Sequence, residues 1–220
     1  MTTLHKSSLL VTCLAVALML FIPGASAEER VGDPYTLDSC PISGKKLGSM
    51  GDPIGLIIEG REVKICCAGC EKPVKADPAA IFAKIDEKVI AQQQEYYPLE
   101  TCAISGSKLG SMGDPIDIVV NNRHVRLCCD GCVDKAKADP VALIAKLDKP
   151  VIAKQSKTYN VNQCVISGET LSDTATNLVV GNRLIKVCCA GCIDKVYANP
   201  AKMLAMIDSG KVEAEGSDHK

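Results

Sequence analysis

Large aromatic residues are scarce in this sequence: its 220 residues include no Trp, two Phe and five Tyr. Aromatic side chains bury the most area per residue, so their scarcity argues against a single large core. The formal net charge is −1, without the basic excess by which nucleic-acid-binding proteins are recognised. The composition therefore favours several small folded units and predicts no nucleic-acid partner.

Patterns that mark catalysis are also missing. No general acid–base pair, Ser-His-Asp set or phosphate-binding glycine loop stands out in the sequence. We therefore expect no catalytic residues and interpret the protein as a non-enzyme.

Only one long apolar stretch occurs, at residues 9–22. It follows the basic His5-Lys6 pair and precedes Ala25-Ser26-Ala27, a small-residue cleavage pattern. Residues 1–27 are therefore predicted to be a signal peptide. We expect a periplasmic or secreted protein with no membrane span after cleavage, because the stretch is short for a span and no second one follows.

Cysteine is the abundant exception, with 13 residues. Cys13 lies in the predicted signal peptide, and the other twelve fall into three sets of four at matching places. The sets are Cys40, Cys66, Cys67 and Cys70; Cys102, Cys128, Cys129 and Cys132; and Cys164, Cys188, Cys189 and Cys192.

The sequence around each set repeats as well. An early Cys-x-Ile-Ser-Gly motif is followed by a Cys-Cys-x-Gly-Cys motif and then by Asp-Pro or Asn-Pro. The latter pairs are Asp77-Pro78, Asp139-Pro140 and Asn199-Pro200. Three tandem units are predicted, at residues 36–95, 98–157 and 160–208, with polar linkers near residues 92–100 and 155–163 and a disordered tail at 209–220.

Each unit carries the pattern of a β-hairpin followed by a helix. Apolar runs at 54–58, 116–120 and 176–180 precede alternating strands at 61–65, 123–127 and 183–187, with Gly or Asn between them. The Asp or Asn before proline suits a helix N-cap, and an apolar helical face follows. We also expect a short helical turn at the last cysteine. The predicted fold class is α+β, with three small treble-clef-like units.

Units of this size need a cross-link, because one hairpin and one helix bury little apolar area. Four thiolates could bind Zn²⁺ or Cu(I), whereas four thiols could form two disulfides. The Cys-x-x-Cys pair at a strand-to-helix turn favours metal, so all twelve cysteines are candidate ligands.

The adjacent cysteines leave the ligand set open. A pleated strand would put Cys67 on the apolar side and leave Cys66 exposed on the side of Lys64. A helix that starts one residue earlier would instead pair Cys66 with Cys70. We expect Met50 and Met112 to pack on their own units, although a thioether would suit Cu(I), and His124 to lie on the surface.

These motifs resemble the small treble-clef-type metal-binding modules of the YHS and TRASH group. That group has an early cysteine, a hairpin, a cysteine pair entering a helix, and a proline, here at Cys40, Cys66 to Cys70 and Pro78 and at their repeats. This sequence departs from it in having Cys-x-Ile-Ser-Gly in place of Cys-Gly-Met and in the extra adjacent cysteine.

The resemblance implies a protein that buffers, delivers or detoxifies soft metal ions, with a metal transporter or another cell-envelope protein as a partner. Two alternatives remain open. One is a disulfide-stapled interaction module, and the other is a thiol–disulfide oxidoreductase that uses Cys67 and Cys70 and their repeats.

Overall fold

The computed structural model of this chain describes residues 30–212. The predicted signal peptide at 1–27 and the tail from residue 213 lie outside the described residues. The described part consists of three repeated units, each a two-stranded antiparallel hairpin followed by helices, which confirms the predicted α+β fold. No helix in this part is long and apolar enough to cross a membrane.

The three hairpins form where the sequence predicts them. Each has five residues per strand, and both residues of each connecting turn have positive φ, which matches the right-handed twist of a tight hairpin. The strands are β1 (Ile54–Ile58), β2 (Arg61–Ile65), β3 (Ile116–Val120), β4 (Arg123–Leu127), β5 (Thr176–Val180) and β6 (Arg183–Val187).

Two helices follow each hairpin, after a single 3₁₀ turn that ends at the last cysteine of the set. The helices are α1 (Glu71–Ala76), α2 (Pro78–Gln93), α3 (Val133–Ala138), α4 (Pro140–Gln155), α5 (Ile193–Ala198) and α6 (Pro200–Ser209). The predicted N-caps are confirmed: Asp77, Asp139 and Asn199 accept hydrogen bonds from backbone amides three residues later.

Each unit has its own apolar core, and at least three of its cysteines belong to that core or pack against it. In unit 1, Val63 and Ile65 of β2 are fully buried together with Val74 of α1 and Ile85 of α2. Equivalent positions build the cores of units 2 and 3. The hairpin and helices thus surround the cysteines with apolar side chains.

The predicted polar linkers overlap the ends of α2 and α4, and their first residues pack against the following unit. Gln93 is the last residue of α2 and is 1 % exposed, because it continues the buried stripe of Ile81, Ile85 and Val89 at four-residue spacing. Its side chain donates to the Asn122 carbonyl at 2.9 Å, and its oxygen accepts from the His124 amide at 2.9 Å.

Unit 3 is joined to unit 2 in the same way. The Gln155 side chain donates to the Asn182 carbonyl at 2.8 Å and accepts from the Leu184 amide at 2.8 Å. The end of each long helix therefore binds the hairpin turn of the following unit, and the connections are part of the packed structure.

Lys64 also departs from its expected place on an exposed strand side. It is 8 % exposed, and its Nζ donates to the Ala198 carbonyl at 2.5 Å, near the end of α5 in unit 3. Burial lowers the pKa of this ammonium. The side chain is buried because a neighbouring unit covers it, a contact that strand alternation within one unit does not reveal.

Candidate metal centres

The first cysteine of each set lies in a tight backbone loop. The Cys40 amide donates to the Lys45 carbonyl at 2.9 Å, and the Gly44 amide donates back to the Cys40 carbonyl at 2.9 Å. Gly44 has φ +69, a backbone conformation that residues with a side chain rarely adopt. Cys102 and Cys164 lie in equivalent loops that close on Gly106 and Gly168.

The other three cysteines lie where the second strand passes into a helix. Strand β2 ends at Ile65, Cys67 is extended, and Cys70 ends the 3₁₀ turn before α1. The Cys70 amide donates to the Cys67 carbonyl at 3.1 Å, which brings the backbone around sharply. This turn directs several sulfurs toward the loop that carries Cys40.

Three sulfurs from each unit form a compact group. In every group the Sγ atoms lie within 4.8 Å of one another, and the group could hold a metal ion. The groups are Cys40, Cys66 and Cys70; Cys102, Cys128 and Cys132; and Cys164, Cys188 and Cys192. The Cys66–Cys70 Sγ distance is 3.9 Å, close to the roughly 3.8–4.0 Å that metal–sulfur bonds of about 2.3 Å impose.

The adjacent cysteines have the reverse of the exposure that the pleat argument predicts. Cys66 is 1 % exposed, whereas Cys67 is partly exposed, and Cys128 and Cys129 differ in the same sense. Strand β2 and its alternation of side chains end at Ile65. Extending that alternation beyond Ile65 therefore predicts the wrong exposure for both Cys66 and Cys67. The turn decides their directions.

The second cysteine of each pair nevertheless stays close to the group. The Cys67 Sγ lies 3.9 Å from that of Cys66 and 4.0 Å from that of Cys70, although Cys67 is not one of the three grouped residues. All twelve predicted ligands thus lie at or beside the three centres. All twelve are free thiols in the structure.

Hydrogen bonds prepare the first cysteine of each set to bind as a thiolate. Burial alone raises the pKa of Cys40, but hydrogen bonds from the Ser43 side chain and from nearby backbone amides outweigh it and lower the pKa to about 6. The same causes lower the pKa of Cys102 to about 6 and that of Cys164 to about 7. Metal binding needs this deprotonated form.

The last cysteine behaves in the opposite way. Burial raises the pKa of Cys70 to about 12, with further contributions from hydrogen bonding and the nearby Cys40 charge. The same holds for Cys132, and the pKa of Cys192 is raised as well. A cation would reverse this effect, because it stabilises thiolates that otherwise repel one another.

A serine from the first motif contacts the first cysteine of each adjacent pair, a role that sequence reasoning missed. Ser43 Oγ lies 3.2 Å from the Cys66 Sγ, and Ser105 Oγ lies 3.3 Å from the Cys128 Sγ. Ser167 repeats the contact with Cys188 at 3.5 Å. The recurrence of serine in all three Cys-x-Ile-Ser-Gly motifs was the sequence signal that could have identified this contact.

The expectations for the other candidate ligands are also corrected. Met50 and Met112 are 51 % and 63 % exposed, so they do not pack on their units as expected. His124 is fully buried rather than on the surface, with its Nε2 2.6 Å from Asp117 Oδ1. None of the three belongs to a sulfur group.

Comparisons with protein-family models, curated proteins and solved structures give no match. The three cysteine groups and the repeated hairpin-and-helix pattern are compatible with a cysteine-rich metal-binding domain. Each centre offers three soft sulfur ligands, with a fourth sulfur at its edge.

Proposed function

We propose that this protein is an exported, non-catalytic binder of soft metal ions, with one ion held by each of its three cysteine centres. The observation that carries the proposal is the grouping of Cys40, Cys66 and Cys70 within 4.8 Å, repeated twice more in the chain. A single cluster of thiols could arise from packing, but three equivalent clusters indicate a common ligand.

Sulfur chemistry selects the class of ion. Thiolates favour Zn²⁺ and Cu(I) among common cellular metals, and carboxylates or histidines are missing from the three groups. Three sulfurs suit Cu(I), whereas Zn²⁺ prefers a tetrahedral site, which would require Cys67 and its equivalents to bind as well.

The biological role that fits is buffering, delivery or resistance outside the cytosol. The predicted signal peptide supports export, and the motifs that resemble the YHS and TRASH group support heavy-metal handling. A metal transporter or another cell-envelope protein is the expected partner. Exported proteins can also retain disulfides, so the state of the thiols must be measured directly.

The test is to purify the protein without oxygen, count its free thiols, and titrate it with Zn²⁺ and with Cu(I) under native mass spectrometry. We expect three successive metal additions, each with a loss of protons. A combined Cys40→Ser, Cys102→Ser, Cys164→Ser variant should lose tight binding, whereas Ser49→Ala should bind like the parent, because Ser49 bonds only within its loop.

Two results would contradict the proposal. Cysteines that all resist alkylation until a reductant is added would favour a disulfide-stapled module. Turnover of a model disulfide without metal binding would favour an oxidoreductase.

A further inference from the structure

The four sulfurs of unit 1 form two triangles that share an edge. The shared edge joins Cys66 and Cys70, whose Sγ atoms are 3.9 Å apart. Cys40 completes one triangle within 4.8 Å of both. Cys67 completes the other at 3.9 Å from Cys66 and 4.0 Å from Cys70.

The second triangle recurs in the other units with nearly the same dimensions. In unit 2 its sides are 3.8, 3.9 and 4.0 Å, and in unit 3 they are 3.9, 3.6 and 3.9 Å. The second triangle is formed by Cys128, Cys129 and Cys132 in unit 2, and by Cys188, Cys189 and Cys192 in unit 3. Sulfurs spaced by about 4 Å match three bonds of roughly 2.3 Å to one ion, so this second triangle also has the size of a binding position.

The two triangles differ in access to solvent. Cys40 is fully buried, whereas Cys67 is partly exposed and Cys189 is exposed. A glycine lies beside each exposed sulfur: a Cβ built at Gly69 would be 3.9 Å from the Cys67 Sγ, and one at Gly191 would be 3.8 Å from the Cys189 Sγ. Glycine at this position leaves the outer sulfur uncovered.

We propose that each unit offers one Cu(I) ion two positions, a buried inner triangle and an exposed outer one, and that Cys67, Cys129 and Cys189 are the exchange sulfurs through which the ion passes to a thiol-bearing partner. This inference rests on the proposed function, because it requires that the centres bind a soft ion.

The exchange is a substitution of ligands with no change of oxidation state. As the ion moves outward, a bond forms to the Cys67 sulfur and the bond to Cys40 breaks, while Cys66 and Cys70 remain bound. Cys67 gives up its thiol proton and the released Cys40 sulfur is free to take one up, so the charge of the centre is unchanged. A partner thiolate then bonds to the exposed ion as the bond to Cys67 breaks, and further partner thiolates replace Cys66 and Cys70 in the same way, one bond forming as each of the two breaks.

Because Cys66 and Cys70 stay bound throughout, the ion moves only a short distance. The incoming Cys67 sulfur already lies close to both of them. An intramolecular sulfur acts at a high effective concentration, which makes such exchange fast. Without Cys67, a partner thiol would have to attack an ion that is coordinated by the buried sulfurs of Cys40, Cys66 and Cys70.

The test uses the full chain loaded with Cu(I). A variant with Cys67→Ser, Cys129→Ser and Cys189→Ser is compared with the parent for ion count, for affinity against a chromogenic Cu(I) chelator, and for the rate of transfer to excess dithiothreitol. We expect three bound ions and an affinity within a few-fold of the parent, but transfer that is slower by about tenfold or more.

A second variant keeps every sulfur but covers the outer ones. Gly69→Val, Gly131→Val and Gly191→Val should also slow transfer while three ions stay bound, and this variant decides the matter if the serine variant does not fold. None of these glycines has positive φ, so the backbone accepts the change.

Several outcomes would overturn the inference. Unchanged transfer rates would show that the outer sulfurs take no part in exchange, and loss of bound ions from the serine variant would make them fixed ligands of a four-sulfur site. Six ions per chain would mean that both triangles fill at once. A parent protein that binds no Cu(I) would instead refute the proposed function itself.

Discussion

Arg123 and Asp33 form a buried, two-bonded ion pair across 90 residues of sequence. Arg123 Nε donates to Asp33 Oδ2 at 2.7 Å, and its Nη2 donates to Asp33 Oδ1 at 2.8 Å. The Arg123 side chain is fully buried, and its Nη1 also bonds Asp148 at 2.9 Å. The Gly181 amide donates to the same Asp33 carboxylate at 2.6 Å, so this pair joins the segment that precedes unit 1 to units 2 and 3.

Replacing Asp33 should therefore destabilise the whole chain. Asp33→Asn keeps the shape but leaves the Arg123 charge without its buried partner, and we expect a loss of about 3–5 kcal/mol in the free energy of unfolding. Urea unfolding followed by circular dichroism measures it. The control is Asp208→Asn, whose exposed pair with Arg183 should contribute at most about 1 kcal/mol. Equal effects would show that burial of the central pair does not matter.

The contact between α2 and the second hairpin should couple units 1 and 2. Gln93→Ala leaves the Asn122 carbonyl and the His124 amide without this partner, so we expect a loss of about 1–3 kcal/mol. The neighbouring exposed Gln94→Ala should change stability by less than about 0.5 kcal/mol. Chemical denaturation should show one shared transition, and three separate transitions would indicate independent units.

The structure reverses the ranking that the strand pleat gives to the adjacent cysteines. Because Cys66 belongs to the buried group and Cys67 does not, Cys66→Ser should remove one of three bound ions, whereas Cys67→Ser should leave all three. The same order should hold for Cys128 over Cys129 and for Cys188 over Cys189. Native mass spectrometry of the single variants counts the ions. Loss of an ion from both variants of a pair would indicate four-sulfur coordination.

The first cysteines should make the metal-free protein sensitive to acid. The pKa of Cys40 is about 6 in the folded protein and near 9 for an unperturbed thiol, so its stabilising contribution is complete above pH 9 and is lost as the pH falls toward 6. The raised pKa of Cys70, about 12, acts in the opposite sense: its contribution is complete below pH 9 and is lost as the pH rises toward 12.

Thiolate absorbance recorded during a pH titration measures both effects. We expect early ionisation that Cys40→Ser reduces, and late ionisation that Cys70→Ser reduces. Ionisation of every cysteine near pH 9 would contradict the hydrogen bonding described at Cys40.

Much of each unit could be predicted because its signals are local. Alternation in Arg61–Ile65, positive-φ residues in the turn and Asp77 before Pro78 each act within a few residues, so they specify the hairpin and the helix start directly. The twelve candidate ligands followed from their repetition. Most of the predicted tail, from residue 213 on, lies outside the described residues. Within the described part, Ser209 ends α6 and Val212 packs against the core of unit 3, so these residues are not disordered as predicted.

Contacts between units could not be predicted from local sequence signals. His124 is buried although its ring nitrogen binds Asp117 of the same hairpin. Gln93 and Lys64 are also polar residues that the sequence favours as exposed, yet each is buried because another unit supplies its hydrogen bonds. Such partners are separated by tens of residues, and no local pattern identifies them.

The sequence by itself determined the three-unit repeat, the hairpins, the helix starts and the four cysteines of each unit, since these depend on backbone preferences and spacing. Only the tertiary structure decided which cysteines meet. Side chains no longer alternate between two faces after Ile65, where the strand ends. The turn that follows buries Cys66 beside Cys40 and Cys70 and leaves Cys67 partly exposed. Sulfur positions at such a turn depend on how the loop, strand and helix pack together, which is a property of the folded chain.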